Sequence, residues 1–269
     1  MKKPFSAQED HCPADLKRAL SACLQVADGL GARLMDTLTV VGGLAPYLLV
    51  PPETLPPDTR HVGTLDLDLG LALADSQEPR LYKRIAESLG ASGFSADLDR
   101  KAQEPLQWKW PASGIAQVWV DIIPDAEIGG VAPWLPEIRF ALVEREAVDL
   151  RGRTLDGKEV RARVWMCNAA AFLLLKAIAF RRRRERKDAH DLYFVLRYHQ
   201  GDILESVVKI SRDPEGGALL EVLREHFADH DGAGARAVAE FLSGRPDDEI
   251  QADVVGATQR ILKPLHLVE

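Results

Sequence analysis

Val40-Val41-Gly42-Gly43-Leu44-Ala45-Pro46, followed about twenty residues later by Thr64-Leu65-Asp66-Leu67-Asp68-Leu69-Gly70-Leu71-Ala72-Leu73, is the stretch on which the fold turns. In the second piece leucines alternate with Thr64, Asp66, Asp68, Gly70 and Ala72. A period of two predicts a strand, leucines on one face and Asp66 and Asp68 together on the other, their Cα atoms about 6.5–7 Å apart. Neighbouring carboxylates repel unless a cation neutralises them, and hard divalent cations prefer oxygen ligands. The glycine pair removes Cβ atoms where backbone must approach something closely, as in a loop that cradles phosphate through its N–H groups. A phosphate loop followed by an acidic pair points to chemistry on a nucleoside triphosphate.

The chain around this stretch reads as two halves. Residues 13–34 show an amphipathic helical stripe, and Thr37–Val41 a short strand running into the glycines. A short helix over Leu44–Leu49 precedes a Pro-rich loop at 51–58. Leu81–Leu89 reads as a helix. Leu106–Trp110 and Ile115–Ile123 read as an antiparallel pair joined at Pro111-Ala-Ser-Gly. Residues 138–164 carry strand character with a turn at Asp156-Gly157. From Asn168 onward the pattern is helical. The expected division is an α/β domain over 1–165 and a helical domain over 166–269, an α+β fold overall.

At 269 residues, with 46% hydrophobic and 28% charged residues, the chain has an ordinary globular composition. It contains no apolar run long enough to span a bilayer and no apolar leader after Met1, so no membrane association and a cytoplasmic location are expected. Cys12, Cys23 and Cys167 are too few and scattered for a disulfide framework or a zinc site. A net charge of −7 argues against wholesale coating of nucleic acid, although a local basic patch remains compatible.

Three further segments carry chemistry. In Gln117-Val-Trp-Val-Asp-Ile-Ile, alternation places Asp121 on the less apolar face of a neighbouring strand, where a third carboxylate suits a two-metal site. After Asn168, read as a helix N-cap, Lys176 stands among Phe172, Leu173, Leu175 and Phe180. Lys176, Phe180, Arg183 and Lys187 fall on one helical stripe, which would aim several cations at one phosphate-bearing ligand. The run Arg181-Arg-Arg-Arg-Glu-Arg-Lys then meets Asp188 and Asp191, and could bind the phosphates of a nucleotide or an RNA. His190 reads as a bystander. His226 and His230 stand four residues apart without a supporting Glu or Cys pattern, and the five tryptophans read as core.

Taken in order, the Gly-Gly turn, Thr-x-Asp-x-Asp, Val-Asp-Ile, Lys-x-x-Ala-x-x-x-Arg and Lys-Asp-x-x-Asp resemble the AbiEii/MenT-type nucleotidyltransferases. These belong to the DNA polymerase β-like superfamily and include toxins of type IV toxin–antitoxin systems. The resemblance spans about residues 37 to 197. It implies a polymerase β-like nucleotidyltransferase sheet followed by helices, and transfer of a nucleoside monophosphate from an NTP to an acceptor hydroxyl. It implies Mg²⁺ or Mn²⁺ on Asp66, Asp68 and Asp121, with Gly42 and Gly43 cradling phosphates. Lys176 and Asp188 would be catalytic, and Lys176, Arg183, Lys187 and Asp191 would bind the nucleotide. The acceptor it implies is the 3′ end of tRNA, and the partner a cognate antitoxin. Two positions depart from the pattern: Leu44 replaces the usual Ser or Thr, and Glu185 the usual Arg, for which Arg184 or Arg186 could substitute. A small-molecule nucleotidyltransferase, as in aminoglycoside adenylylation, a non-catalytic nucleotide- or partner-binding protein, and a kinase-like transferase are the alternatives.

Overall fold

The computed structural model describes residues 13–57, 59, 61–73, 80–97, 107–111, 117–126 and 135–265, and in it the alternating stretch is a strand. The described strands are β1 (Leu38–Val41), β2 (Asp66–Leu71), β3 (Ser95–Ala96), β4 (Gln107–Lys109), β5 (Trp119–Pro124), β6 (Arg145–Arg153) and β7 (Glu159–Cys167). They form one mixed sheet in the order β3-β4-β5-β2-β1-β7-β6. β1 and β2 are antiparallel, β2 and β5 parallel, β1 and β7 parallel. β4 pairs antiparallel with β5, as the alternation predicts, although the turn between them lies outside the described residues. With its flanking helices the sheet makes an α+β fold.

Alternation decides what each central strand buries. Leu67, Leu69 and Leu71 of β2, and Val118, Val120 and Ile122 in and next to β5, are all buried. Fully burying side chains of this size contributes about 1.5–3 kcal/mol each, which holds the register against a one-residue slip. Against this sheet belong α1 (Pro13–Met35), whose Ala19, Cys23, Val26 and Leu30 form a buried stripe at helical spacing, and α3 (Leu81–Ala91).

The expectation of strand throughout 138–164 is corrected at its start. Ile138–Val143 is a helix, α4, which carries Ile138, Ala141 and Leu142 at i, i+3 and i+4. Ile138 and Leu142 sit over Gly70, 3.6 and 3.7 Å from where its Cβ would be. The rest of that segment is the β6–β7 hairpin, turning at Gly157 with φ +90°. The tryptophans are also corrected: of those described, Trp108 is buried, whereas Trp110, Trp119 and Trp165 are partly exposed. Trp165 uses its edge, donating Nε1–H to Asp36 Oδ1 at 3.1 Å, and takes the Arg145 guanidinium on its face.

By contacts the chain divides into two compact units. Among the described residues, the sheet unit comprises Pro13–Ala45 and Gly63–Asn168, and the other comprises Pro46–Val62 together with the chain from Ala169 onward. Residues 46–62, following the start of the short helix α2 (Ala45–Leu49), therefore go with the helices. That helical unit is built on α5 (Ala169–Arg183) and α6 (Arg186–Tyr198), followed by α7 (Leu204–Ser211), α8 (Ala218–Val222), α9 (Ala233–Ser243) and α10 (Asp248–Leu265). α5 is apolar nearly all round and correspondingly buried, Phe172, Leu173, Leu174, Ile178 and Phe180 included. Arg184 breaks it from α6 by adopting φ +54°. The α6–α10 contact is fixed by Asp253, which accepts hydrogen bonds from the Tyr193 hydroxyl and from Arg197 Nε.

Candidate functional site

The carboxylates of the sheet unit share one face. In the parallel pairing of β2 with β5, Asp68 is in register with Asp121 and Asp66 with Trp119, so Asp66, Asp68 and Asp121 point to the same side. All three are partly exposed, on the face whose far end is closed by Ile138 and Leu142 over Gly70. Their neighbours hold them from the side. Gln107 on β4, itself in register with Asp121, donates its amide to Asp121 Oδ1. The Gly43 N–H donates to Asp68 Oδ2 at 3.3 Å.

That last contact explains the glycine pair in terms the sequence did not offer. Gly42 has φ +67°, and a Cβ there would lie 1.9 Å from Asp68 Oδ2; one at Gly43 would lie 2.6 Å from Thr64 Oγ1. The close approach is thus made by the chain's own Asp68 and Thr64. Thr64 is locked in turn: its hydroxyl receives the Asp66 N–H at 3.0 Å and donates to the Asp66 carbonyl. Leu44, after the glycines, is fully buried and packs in the core. The hydroxyl beside this turn comes instead from Thr64.

The helical unit gathers the second group of expected residues. Lys176 Nζ lies 3.1 Å from Asp188 Oδ1 and 2.7 Å from Asp191 Oδ2. Arg183 forks onto both oxygens of Asp188, and Lys187 onto both of Asp191, the latter at 3.1 and 2.9 Å. Helix geometry brings this about: 176 and 183 face one way on α5, and Lys187 and Asp191 are i,i+4 on α6. Both aspartates are buried, and the sequence expectation of cations offered to a triphosphate meets cations already paired. Burial opposes charge on Lys176, but Asp191 and Asp188 outweigh it and raise its pKa. Burial likewise opposes charge on the aspartates, and the facing cations reverse that: Asp188 is lowered and Asp191 lies well below the usual carboxylate range. Arg183 keeps most of its side chain in solvent, whereas Lys176 does not.

Sequence reasoning missed His61. Its Nε2 is 3.0 Å from Asp191 Oδ1, across 130 residues, and the residues around it carry no periodic pattern to single it out. His190, passed over as a bystander, is buried beside it, its ring against Phe241. Asn168, directly before α5, donates its amide nitrogen to Glu144 Oε2 at 3.0 Å. His226 packs edge-on against Phe180 and is buried; His230 is partly exposed.

No family model and no curated protein sequence matches the chain. Among solved structures, it is similar to an antigenic nucleotidyltransferase-like protein from Paracoccidioides brasiliensis, with 16% identity and a TM-score of 0.42 over 78% of this chain and 94% of that one.

Proposed function

We propose that this chain transfers a nucleoside monophosphate from an NTP to an acceptor hydroxyl, releasing pyrophosphate, with Asp66, Asp68 and Asp121 as the metal-binding face. The observation that carries the reading is the register of Asp68 with Asp121 beside Asp66, on one sheet face and against the Gly42-Gly43 turn. An all-oxygen donor set of three carboxylates fits Mg²⁺ or Mn²⁺ by its chemistry. A bound divalent ion would polarise the reacting phosphoryl group and offset the charge on the departing pyrophosphate.

The protein's own groups do the remaining work. The Gly43 N–H fixes the Asp68 carboxylate, and the Gln107 amide fixes Asp121. For the Gly42-Gly43 turn to offer the Gly43 N–H to a terminal phosphate, that N–H would have to leave Asp68 as the carboxylate takes the ion. Asp121 would take the proton of the acceptor hydroxyl. In the helical unit, Lys176 with Asp188 and Asp191 would act as a rigid charged support, and Arg183 and Lys187 as its phosphate-binding members. The resemblance extends the reading to the 3′ end of tRNA as acceptor and to a cognate antitoxin as partner. Within this chain, the arginine run from Arg181 to Arg186 supports a polyanionic acceptor.

Pyrophosphate release with each NTP, together with radiolabel and intact-mass analysis of total tRNA, tests the reading. Wild-type protein with Mg²⁺ should label an acceptor, and Asp68→Asn should reduce turnover to background while remaining folded. Unchanged turnover in Asp68→Asn would refute the metal-binding role of this face.

A further inference from the structure

We propose that the helical unit contains a second cation site, of first-row transition-metal type, formed by His61, His190 and Asp191. Among the described residues these three side chains bring ligand atoms within 4.8 Å of one another. His61 Nε2 lies 3.0 Å and His190 Nδ1 3.7 Å from Asp191 Oδ1. Zinc bonds to nitrogen and oxygen are roughly 2.0–2.2 Å, so tetrahedral ligands lie about 3.3–3.5 Å apart, between these two separations. The third separation, between the ring nitrogens, lies within 4.8 Å, so binding an ion would draw the two rings together.

A second observation concerns the hydrogen bonding of His190. His190 Nδ1 is buried without a hydrogen-bond partner, and 3.7 Å is too long for one to Asp191. A buried ring nitrogen normally finds a partner, and an orphan one aimed at a carboxylate and a second imidazole is the arrangement of an empty ligand. Two imidazoles and a carboxylate suit Zn²⁺ and neighbouring divalent ions better than Mg²⁺, which takes oxygen. Ligation by His61 would move its ring proton from Nε2 to Nδ1.

Lys176 and Lys187 compete for the same carboxylate. Lys176 is held through Asp191 Oδ2 and Asp188, away from the oxygen that faces the imidazoles. Lys187 reaches both oxygens and is the more exposed of the two, so it is the group an ion would displace. The site is therefore tunable from one position.

Titration of chelator-treated full-length protein with Zn²⁺, followed by calorimetry, and with Co²⁺, followed by its visible absorption, tests this. An Asp66→Asn/Asp68→Asn/Asp121→Asn background removes the sheet carboxylates as competing ligands. One equivalent should bind there, with a Co²⁺ spectrum of nitrogen and oxygen ligation. His61→Gln and His190→Gln, each checked for folding by circular dichroism, should weaken binding more than about tenfold, and Lys187→Met should tighten it. Absence of stoichiometric binding to this background, or binding unaffected by both histidine substitutions, would overturn the site. Because activity is not the readout, failure here and failure of the nucleotidyltransferase reading are separable.

Discussion

Gly42 combines a positive φ with a close approach of a neighbouring side chain, so two costs meet in one residue. Placing alanine there costs about 1–2 kcal/mol for the left-handed backbone alone. The clash with Asp68 adds to it, and even the Asp68 Cβ would lie only 2.7 Å away. Gly42→Ala should therefore be more destabilising in wild type than in Asp68→Gly, with a coupling on the order of 1 kcal/mol in a urea double-mutant cycle. Additive losses would mean that the turn moves aside. Alternation put Asp66 and Asp68 on one face of their strand and Asp121 on the polar face of its own, because a period of two needs no tertiary information; that these faces coincide comes from the register of β2 with β5. The reason for the glycines was hidden, since no pattern says which side chain will lie against a turn. Cys23 gives a second test at this scale. Burial pushes its thiol up to about 12. In the unfolded chain the thiol titrates near ~8.5. Between these values the unfolded chain loses a proton that the folded chain keeps, so stability falls as pH rises through this window, by up to about 1.4 kcal/mol per unit. Cys23→Ala should flatten that alkaline decline in denaturation midpoints measured against pH, and in the native protein Cys23 should resist alkylation.

At the scale of elements, the α5–α6 pair is held by a charged network as well as by its apolar faces. Asp191 serves Lys176, Lys187 and His61, whereas Lys176 serves two aspartates that each retain another cation. Removing Asp191 takes a partner from Lys176, Lys187 and His61 at once and leaves Lys176 with Asp188 alone; removing Lys176 leaves Asp188 with Arg183 and Asp191 with Lys187. Asp191→Ala should therefore lower stability in chemical denaturation more than Lys176→Met does. The reverse order would show that Lys176 is the keystone. The helical period exposed the cationic stripe in the sequence. It could not show that the stripe faces two aspartates of the next helix, because the left-handed residue that turns the chain, Arg184, is an arginine rather than a glycine. The same limit applies to Ile138–Val143, where six residues are too short for periodicity to separate helix from strand.

For the whole molecule, the described units are not consecutive in sequence. The contact division falls at 168/169, and Pro46–Val62 belongs with the helices. A Pro-rich loop offers no periodic signal of the element it joins, so this assignment was illegible. It predicts that residues 169–269 alone form an incomplete unit, since His199 Nδ1 is 3.0 Å from the Leu49 carbonyl and Asp191 depends on His61. That fragment should melt lower than the intact chain by circular dichroism, and a peptide covering 46–62 added in excess should raise its midpoint. No effect of the peptide would mean that the segment is merely attached.

The same interleaving sets an order of events on the ribosome. His61 is made 130 residues before Asp191, its partner. At roughly 5–20 residues per second, the loop waits on the order of 7–26 seconds for the helix that accepts it. For most of that interval the Gly63–Asn168 stretch, the larger part of the sheet unit, is being added behind it. The loop must stay uncommitted while its neighbours in sequence pair, and its proline-rich composition, poor in strand-forming pattern, suits a segment that has to wait.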